Sequence, residues 1–217
     1  MTLRMLTTAG ALTALVLAAG SAQASVTTIG SQAAFSAAGA TAQNTNFDSV
    51  TVGFLFPGSP YAVGDLTFVA GSLNLIGGTA PGSSYNTARS LFTDQFVQGT
   101  TIQSAGAYDL FAVNAGNFFE AGPSAFLVTT NLGNYSFNPA VSDANNLGAL
   151  TFIGFRAGPG EYFTSVNYSG EHATGVTDVQ LGVAGSAPEP ATWGLMVAGF
   201  AGLGVALRRR ARPRAAC

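Results

Sequence analysis

Residues 150–168 read Leu150-Thr151-Phe152-Ile153-Gly154-Phe155-Arg156-Ala157-Gly158-Pro159-Gly160-Glu161-Tyr162-Phe163-Thr164-Ser165-Val166-Asn167-Tyr168. From Leu150 to Phe155 a single threonine interrupts the apolar residues, so an extended segment here has no polar face, as befits a central strand. Gly158-Pro159-Gly160 follows, a turn in which glycine accepts positive φ and proline presets its own. Aromatic and β-branched residues then resume. The stretch predicts a hairpin of 150–156 with 162–168. A second hairpin is expected between 126–130 and 135–137, around Asn131-Leu132-Gly133-Asn134. Further strands are expected near 26–29, 50–56, 66–70, 73–76, 100–103, 108–113 and 176–183, and the one helix candidate is QAAFSAA at 32–38. Many short strands separated by turn signals over roughly 160 residues predict an all-β domain, an antiparallel two-sheet sandwich. The 16 phenylalanines of the chain are its main core material.

Composition removes several functions. All eight basic residues are arginine, and only Arg89 and Arg156 lie between Ser25 and Ala187, against nine carboxylates, a net charge of −7. A nucleic-acid partner, which needs a basic face, is excluded. One cysteine and one histidine in 217 residues exclude a disulfide scaffold and a Cys/His metal centre. His172 is read as a loop histidine, and no G-x-S-x-G elbow surrounds a serine, so no catalytic residue is assigned.

The ends read differently from the middle. Residues 1–24 have the form of a secretory signal peptide: Arg4, an apolar run over 5–19, and Ala22-Gln23-Ala24 as an A-x-A cleavage site. Residues 25–186 are the folded domain, and 187–217 a tail of three parts. Pro188-Glu189-Pro190 has a restricted backbone. Residues 191–207, ATWGLMVAGFAGLGVAL, carry no charge and as a helix would rise ~26 Å, slightly less than the ~30 Å hydrocarbon core. Arg208, Arg209, Arg210, Arg212 and Arg214 then fix the orientation, with the arginines in the cytoplasm.

In that order, at the end of a chain with an export leader, these parts resemble the PEP-CTERM sorting signal, and more closely its PEPxxWA variant. Pro188, Glu189, Pro190, Trp193 and the arginine cluster carry the resemblance; Gly194 stands where alanine is usual. The resemblance implies an exosortase as partner, an integral-membrane transpeptidase-like enzyme of exopolysaccharide-making Gram-negative bacteria. It also implies a precursor held transiently at the inner membrane, cut near the PEP motif, with its body passed to the cell surface or extracellular matrix. Asn46-Phe47-Asp48, Gly64-Asp65-Leu66-Thr67-Phe68, Phe152-Ile153-Gly154-Phe155 and Thr177-Asp178-Val179-Gln180-Leu181-Gly182 are similar to stretches of the jelly-roll or lectin-like domains that precede such tails.

The chemistry open to the domain is limited. Calcium takes carboxylate and carbonyl oxygens, and Asp48 and Asp178 could share one structural ion if the terminal strands pair; no other cofactor is expected. Extracellular polysaccharide is a possible partner through loop or strand-end aromatic–amide pairs: Tyr85 with Asn86, Asn134 with Tyr135, and Asn167 with Tyr168. The expected role is a non-enzymatic surface or matrix component, with a lectin-like module or, less favoured, a small secreted glycoside hydrolase as alternatives.

Overall fold

A computed structural model describes residues 25–51, 53–71, 74–77, 90–92, 99–118, 120–143, 150–170, 173–185 and 199–200. The chain divides into two units, 1–184 and 185–217. The first contains strands β1 (Val26–Ile29), β2 (Gly39–Thr45), β3 (Gly53–Leu55), β4 (Pro60–Val63), β5 (Leu66–Ala70), β6 (Asn74–Gly77), β7 (Ser90–Phe92) and β8 (Thr100–Tyr108). It continues with β9 (Leu110–Asn117), β10 (Gly122–Thr130), β11 (Asn134–Phe137), β12 (Ala140–Val141), β13 (Thr151–Ala157), β14 (Phe163–Gly170) and β15 (Thr174–Ala184). One helix, α1 (Gln32–Ala38), lies between β1 and β2.

These strands form two antiparallel sheets. The first runs β1-β13-β9-β15-β7-β6-β3, with β2 added along β15; the second runs β11-β10-β14-β8-β5-β4, with β12 added along β10. Their inner rows meet in one aromatic core. Phe155 of β13 lies 4.8 Å from Phe137 and 6.0 Å from Phe126, both in the second sheet, while Phe111 of β9 meets Phe163 of β14 edge-on at 6.2 Å. Each ring buries a large apolar area, and offset or edge-on contact suits its quadrupole.

The apolar outer face of β13 has a physical explanation in α1. Ser31 caps the helix, its side chain accepting from Ala34 N at 3.2 Å. Phe35 is fully buried and meets Phe152 edge-on at 6.0 Å, in a small cluster with Leu110 and Ala112. The helix therefore covers the back of the strand. Gln32 and Gln180 exchange side-chain hydrogen bonds at 3.0 and 2.7 Å, which pins α1 to β15. A Cβ on Gly39 would stand 2.2 Å from the Val183 carbonyl oxygen, so only glycine lets the chain leave α1 this close to β15.

The hairpin of β10 and β11 forms as expected, with Phe126 opposite Phe137 and Thr129 opposite Asn134. The other predicted hairpin does not. Glu161 N donates to Gly158 O at 3.0 Å and Gly160 takes φ +74, so the turn is real. Yet β13 pairs with β1 and β9, while β14 pairs with β10 and β8. The Gly-Pro-Gly segment carries the chain from one sheet to the other, where β13 meets β10 and β11 across the core and β14 meets β9. The predicted break after residue 103 is also corrected: β8 continues through Ser104-Ala105-Gly106-Ala107 to Tyr108, and the reversal falls at Asp109. Strands β2, β4, β7 and β12 were not anticipated. β2 is a polar segment held by its ladder to β15, and β4 begins with a proline, which an edge strand tolerates.

Among the described residues no helix is long and apolar enough to cross a membrane. The expected span 191–207 lies outside the described residues except at 199 and 200, which are helical.

Candidate functional site

The most organised polar site in the first unit is built around Glu161, a carboxylate to which the sequence alone assigns no role. It follows the Gly158–Gly160 turn and is only 3% exposed. Oε2 accepts from Ser25 N at 2.9 Å and from Gly158 N at 3.2 Å; Oε1 accepts from Thr130 Oγ1 at 2.5 Å and Tyr135 Oη at 2.6 Å. Burial by itself raises the pKa of Glu161, but these four hydrogen bonds outweigh it and hold the carboxyl below its ordinary range. The same contact raises the pKa of Tyr135, chiefly because its hydroxyl donates to the carboxylate. A buried acid whose pKa is held below its ordinary range and whose oxygens are saturated by donors does not suit the proton-carrying role that glycoside hydrolysis requires of one of its two carboxyls. Its evident effect is to tie four separate segments together: the residue before β1, the end of β10, the start of β11 and the loop between the sheets.

A second buried polar cluster lies elsewhere in the domain. Asn117 Oδ1 accepts from Ser124 Oγ and Thr174 Oγ1, both at 3.0 Å, while Asn117 Nδ2 donates to Gly122 O at 3.2 Å. Neutral and satisfied, it secures β9, β10 and β15. An apolar groove of about 370 Å³ runs along Thr28, Phe137, Pro139, Phe152 and Ile153; none of its lining residues is a carboxylate or histidine.

The calcium candidates are on different elements. The first strand, β1, pairs with β13 and not with the last strand; β2 lies along β15 instead, with Thr45 opposite Val179. Asp178 sits at an irregularity of β15 with φ +49, a conformation aspartate tolerates better than most residues, and accepts from Asn114 Nδ2 at 3.1 Å. Asp48 is exposed in the turn after β2. Among the described residues no group of three or more His, Cys, Asp or Glu side chains could hold a metal ion.

The sugar candidates are also separated. Tyr168 has no exposed surface: its ring stacks on Phe126 at 6.2 Å and its hydroxyl donates to Leu91 O at 3.0 Å. This corrects its reading as a sugar contact. A register shift in β14 between Phe163 and Ser165 turns Val166 and Tyr168 to the core, and Asn167 instead donates to Thr101 Oγ1 at 3.0 Å. Burial pushes the Tyr168 phenol pKa up. Tyr135 is half-buried with its hydroxyl committed to Glu161, and Asn134 is exposed at the start of β11. Tyr85 lies outside the described residues, as do His172 and the cleavage-site residues Ala22 and Ala24. So do Pro188, Glu189, Pro190, Trp193, Arg208, Arg209, Arg210, Arg212 and Arg214.

Residues 186–210 match the family model of the PEP-CTERM protein-sorting motif. This motif marks an exported class of protein, membrane-anchored before processing, whose processing partner is an exosortase. The match takes in Pro188, Glu189, Pro190, Trp193, the uncharged stretch 191–207 and the first three arginines. No curated protein matches the chain.

Proposed function

We propose that the chain is the precursor of a non-enzymatic cell-surface or exopolysaccharide-matrix protein. Residues 1–24 act as a signal peptide removed after Ala24, 25–186 form the exported β-sandwich, and 187–217 deliver it to an exosortase. The sorting-motif match over 186–210 carries this reading. The physics of the tail supports it: an uncharged stretch slightly short of a bilayer holds the domain, and arginines beyond it keep the far end in the cytoplasm. Proline is unfavourable inside a helix, so the sequence Pro188-Glu189-Pro190 beside the span suits recognition by a processing enzyme that takes extended chain.

The body needs no catalytic group for this role. Its best-organised ionisable site, at Glu161, is spent on holding segments together, and the apolar groove has no acid or base. Carbohydrate binding is not proposed for Tyr135 or Tyr168, whose hydroxyls are engaged inside the domain.

Alanine replacement of Pro188, Glu189 and Pro190 together is the direct test. Full-length precursor is expected to accumulate in the inner-membrane fraction, with the released form reduced at least about tenfold by quantitative immunoblotting, a change equivalent to ~1.4 kcal/mol of lost recognition. Unchanged release would remove the motif from the account.

A further inference from the structure

Strand β1 begins at Val26, which pairs with Ala157 of β13, and this register lays Ser25 beside Gly158. The Ser25 nitrogen donates to Glu161 Oε2 at 2.9 Å. The carbonyl and hydroxyl oxygens of Ser25 each stand 3.0 Å from where a Cβ on Gly158 would be, so glycine lets residue 25 sit against the loop. Ser25 is also the residue immediately after the expected cleavage site at Ala24. In the uncut chain all four donors to Glu161 are neutral, two backbone amides and two hydroxyls. Among the described residues no countercharge faces this carboxylate, only 3% exposed, although a buried ion ordinarily requires one.

We propose that this socket is a binding site for the chain's own new N-terminus: cutting the Ala24–Ser25 bond converts the Ser25 nitrogen into an α-ammonium that pairs with Glu161. The inference rests on the signal-peptide reading given above. The step consumes one water, breaks the amide and leaves a carboxylate on Ala24 and an ammonium on Ser25. The nitrogen need not move, because it is already at hydrogen-bond distance. A hydrogen bond from a neutral donor to an ionised acceptor becomes an ion pair in which both partners are charged. Removal of the leader thereby tightens the junction of β1, β10, β11 and the inter-sheet loop, and the exported form is held more firmly than the precursor.

The composition of the chain supplies an unusually clean test. It contains no lysine, so after cleavage the Ser25 amine is the only primary amine in the protein. Mature full-length protein is purified from its host, its N-terminus is mapped by mass spectrometry, and an amine-specific acylating reagent is applied at neutral pH. Ser25 is exposed, so steric cover alone does not shield it. The expected N-terminus is Ser25, with acylation about tenfold slower in the folded protein than in denaturant, because pairing with Glu161 holds the amine in its unreactive charged form. Glu161→Gln is expected to abolish most of that protection. Should the variant not fold, wild type acylated in denaturant and refolded is expected to unfold at a lower urea concentration than unmodified protein. An N-terminus elsewhere overturns both the leader reading and the socket. A Ser25 N-terminus acylated equally fast in folded and denatured protein overturns the socket alone.

Discussion

Glu161→Ala is expected to destabilise the folded domain by about 3–5 kcal/mol, and Glu161→Gln by about 1–2 kcal/mol, read from urea midpoints at constant slope. The difference follows from the donors. Alanine removes the shared acceptor of two backbone N–H groups and two hydroxyls, of which Thr130 is buried and Tyr135 and Gly158 partly so. Glutamine can direct its carbonyl to Ser25 N and Gly158 N, the pair that Oε2 now serves, and its amide group to Tyr135, whose hydroxyl can turn to accept. It loses the charge and the Thr130 bond, because Thr130 Oγ1 already accepts from Leu132 N and Gly133 N. The carboxylate also has a pH signature of definite sign. Its folded pKa is lowered, so its contribution is present above the ordinary carboxylate pKa of about 4.3 and is lost as pH falls through the folded value. The stability gap between wild type and Glu161→Gln is therefore expected to be full at pH 7 and to shrink on acidification below about pH 4.3. A gap that stays constant down to pH 2 would show that the charge contributes nothing.

Replacing Arg208, Arg209, Arg210, Arg212 and Arg214 together by glutamine is expected to abolish ordered anchoring and processing while leaving export itself intact. Each basic residue near an anionic leaflet is worth about 1 kcal/mol, so the cluster contributes on the order of 5 kcal/mol to holding the far end of the span on the cytoplasmic side. Cys217, the chain's one cysteine, lies just beyond the cluster and reports its side of the membrane. In the wild-type precursor a membrane-impermeant thiol reagent added from outside is expected not to label it. In the glutamine variant labelling is expected to appear and the processed form to vanish. Identical labelling and processing in the two proteins would rule out the arginines as the topological lock.

The elements legible in the sequence are those fixed by local chemistry. QAAFSAA at 32–38 forms α1 with the expected bounds, and Leu66–Ala70 forms the expected strand. The both-face apolarity of 150–155 marks a strand covered on both sides, the cover on one side being a helix. Pairing was harder to read. A turn signal such as Gly158-Pro159-Gly160 reverses the chain, but it does not say whether the next strand joins the same sheet. One irregularity in β14 was enough to send Tyr168 inward, because a one-residue slip exchanges the faces of a strand. β2 has no sequence signature because its polar residues are held by backbone pairing, which leaves no hydrophobic period.

The two candidate sites differ for a similar reason. Glu161 gathers donors from residues 25, 130, 135 and 158, a set that only the tertiary fold assembles. The sole sequence cue is a carboxylate placed directly after a Gly-Pro-Gly turn. The sorting tail is a linear signal whose parts act in the order in which they are written, and residues 186–210 are recognisable without any fold.

Intact-mass and C-terminal mapping of the protein recovered from outside its native host, beside the membrane-bound precursor, tests the central claim most directly. The account predicts that the extracellular form ends near Pro188–Pro190 and lacks everything from Ala191 onward, while the precursor retains it. Extracellular protein that uniformly keeps residues 191–214 would contradict it.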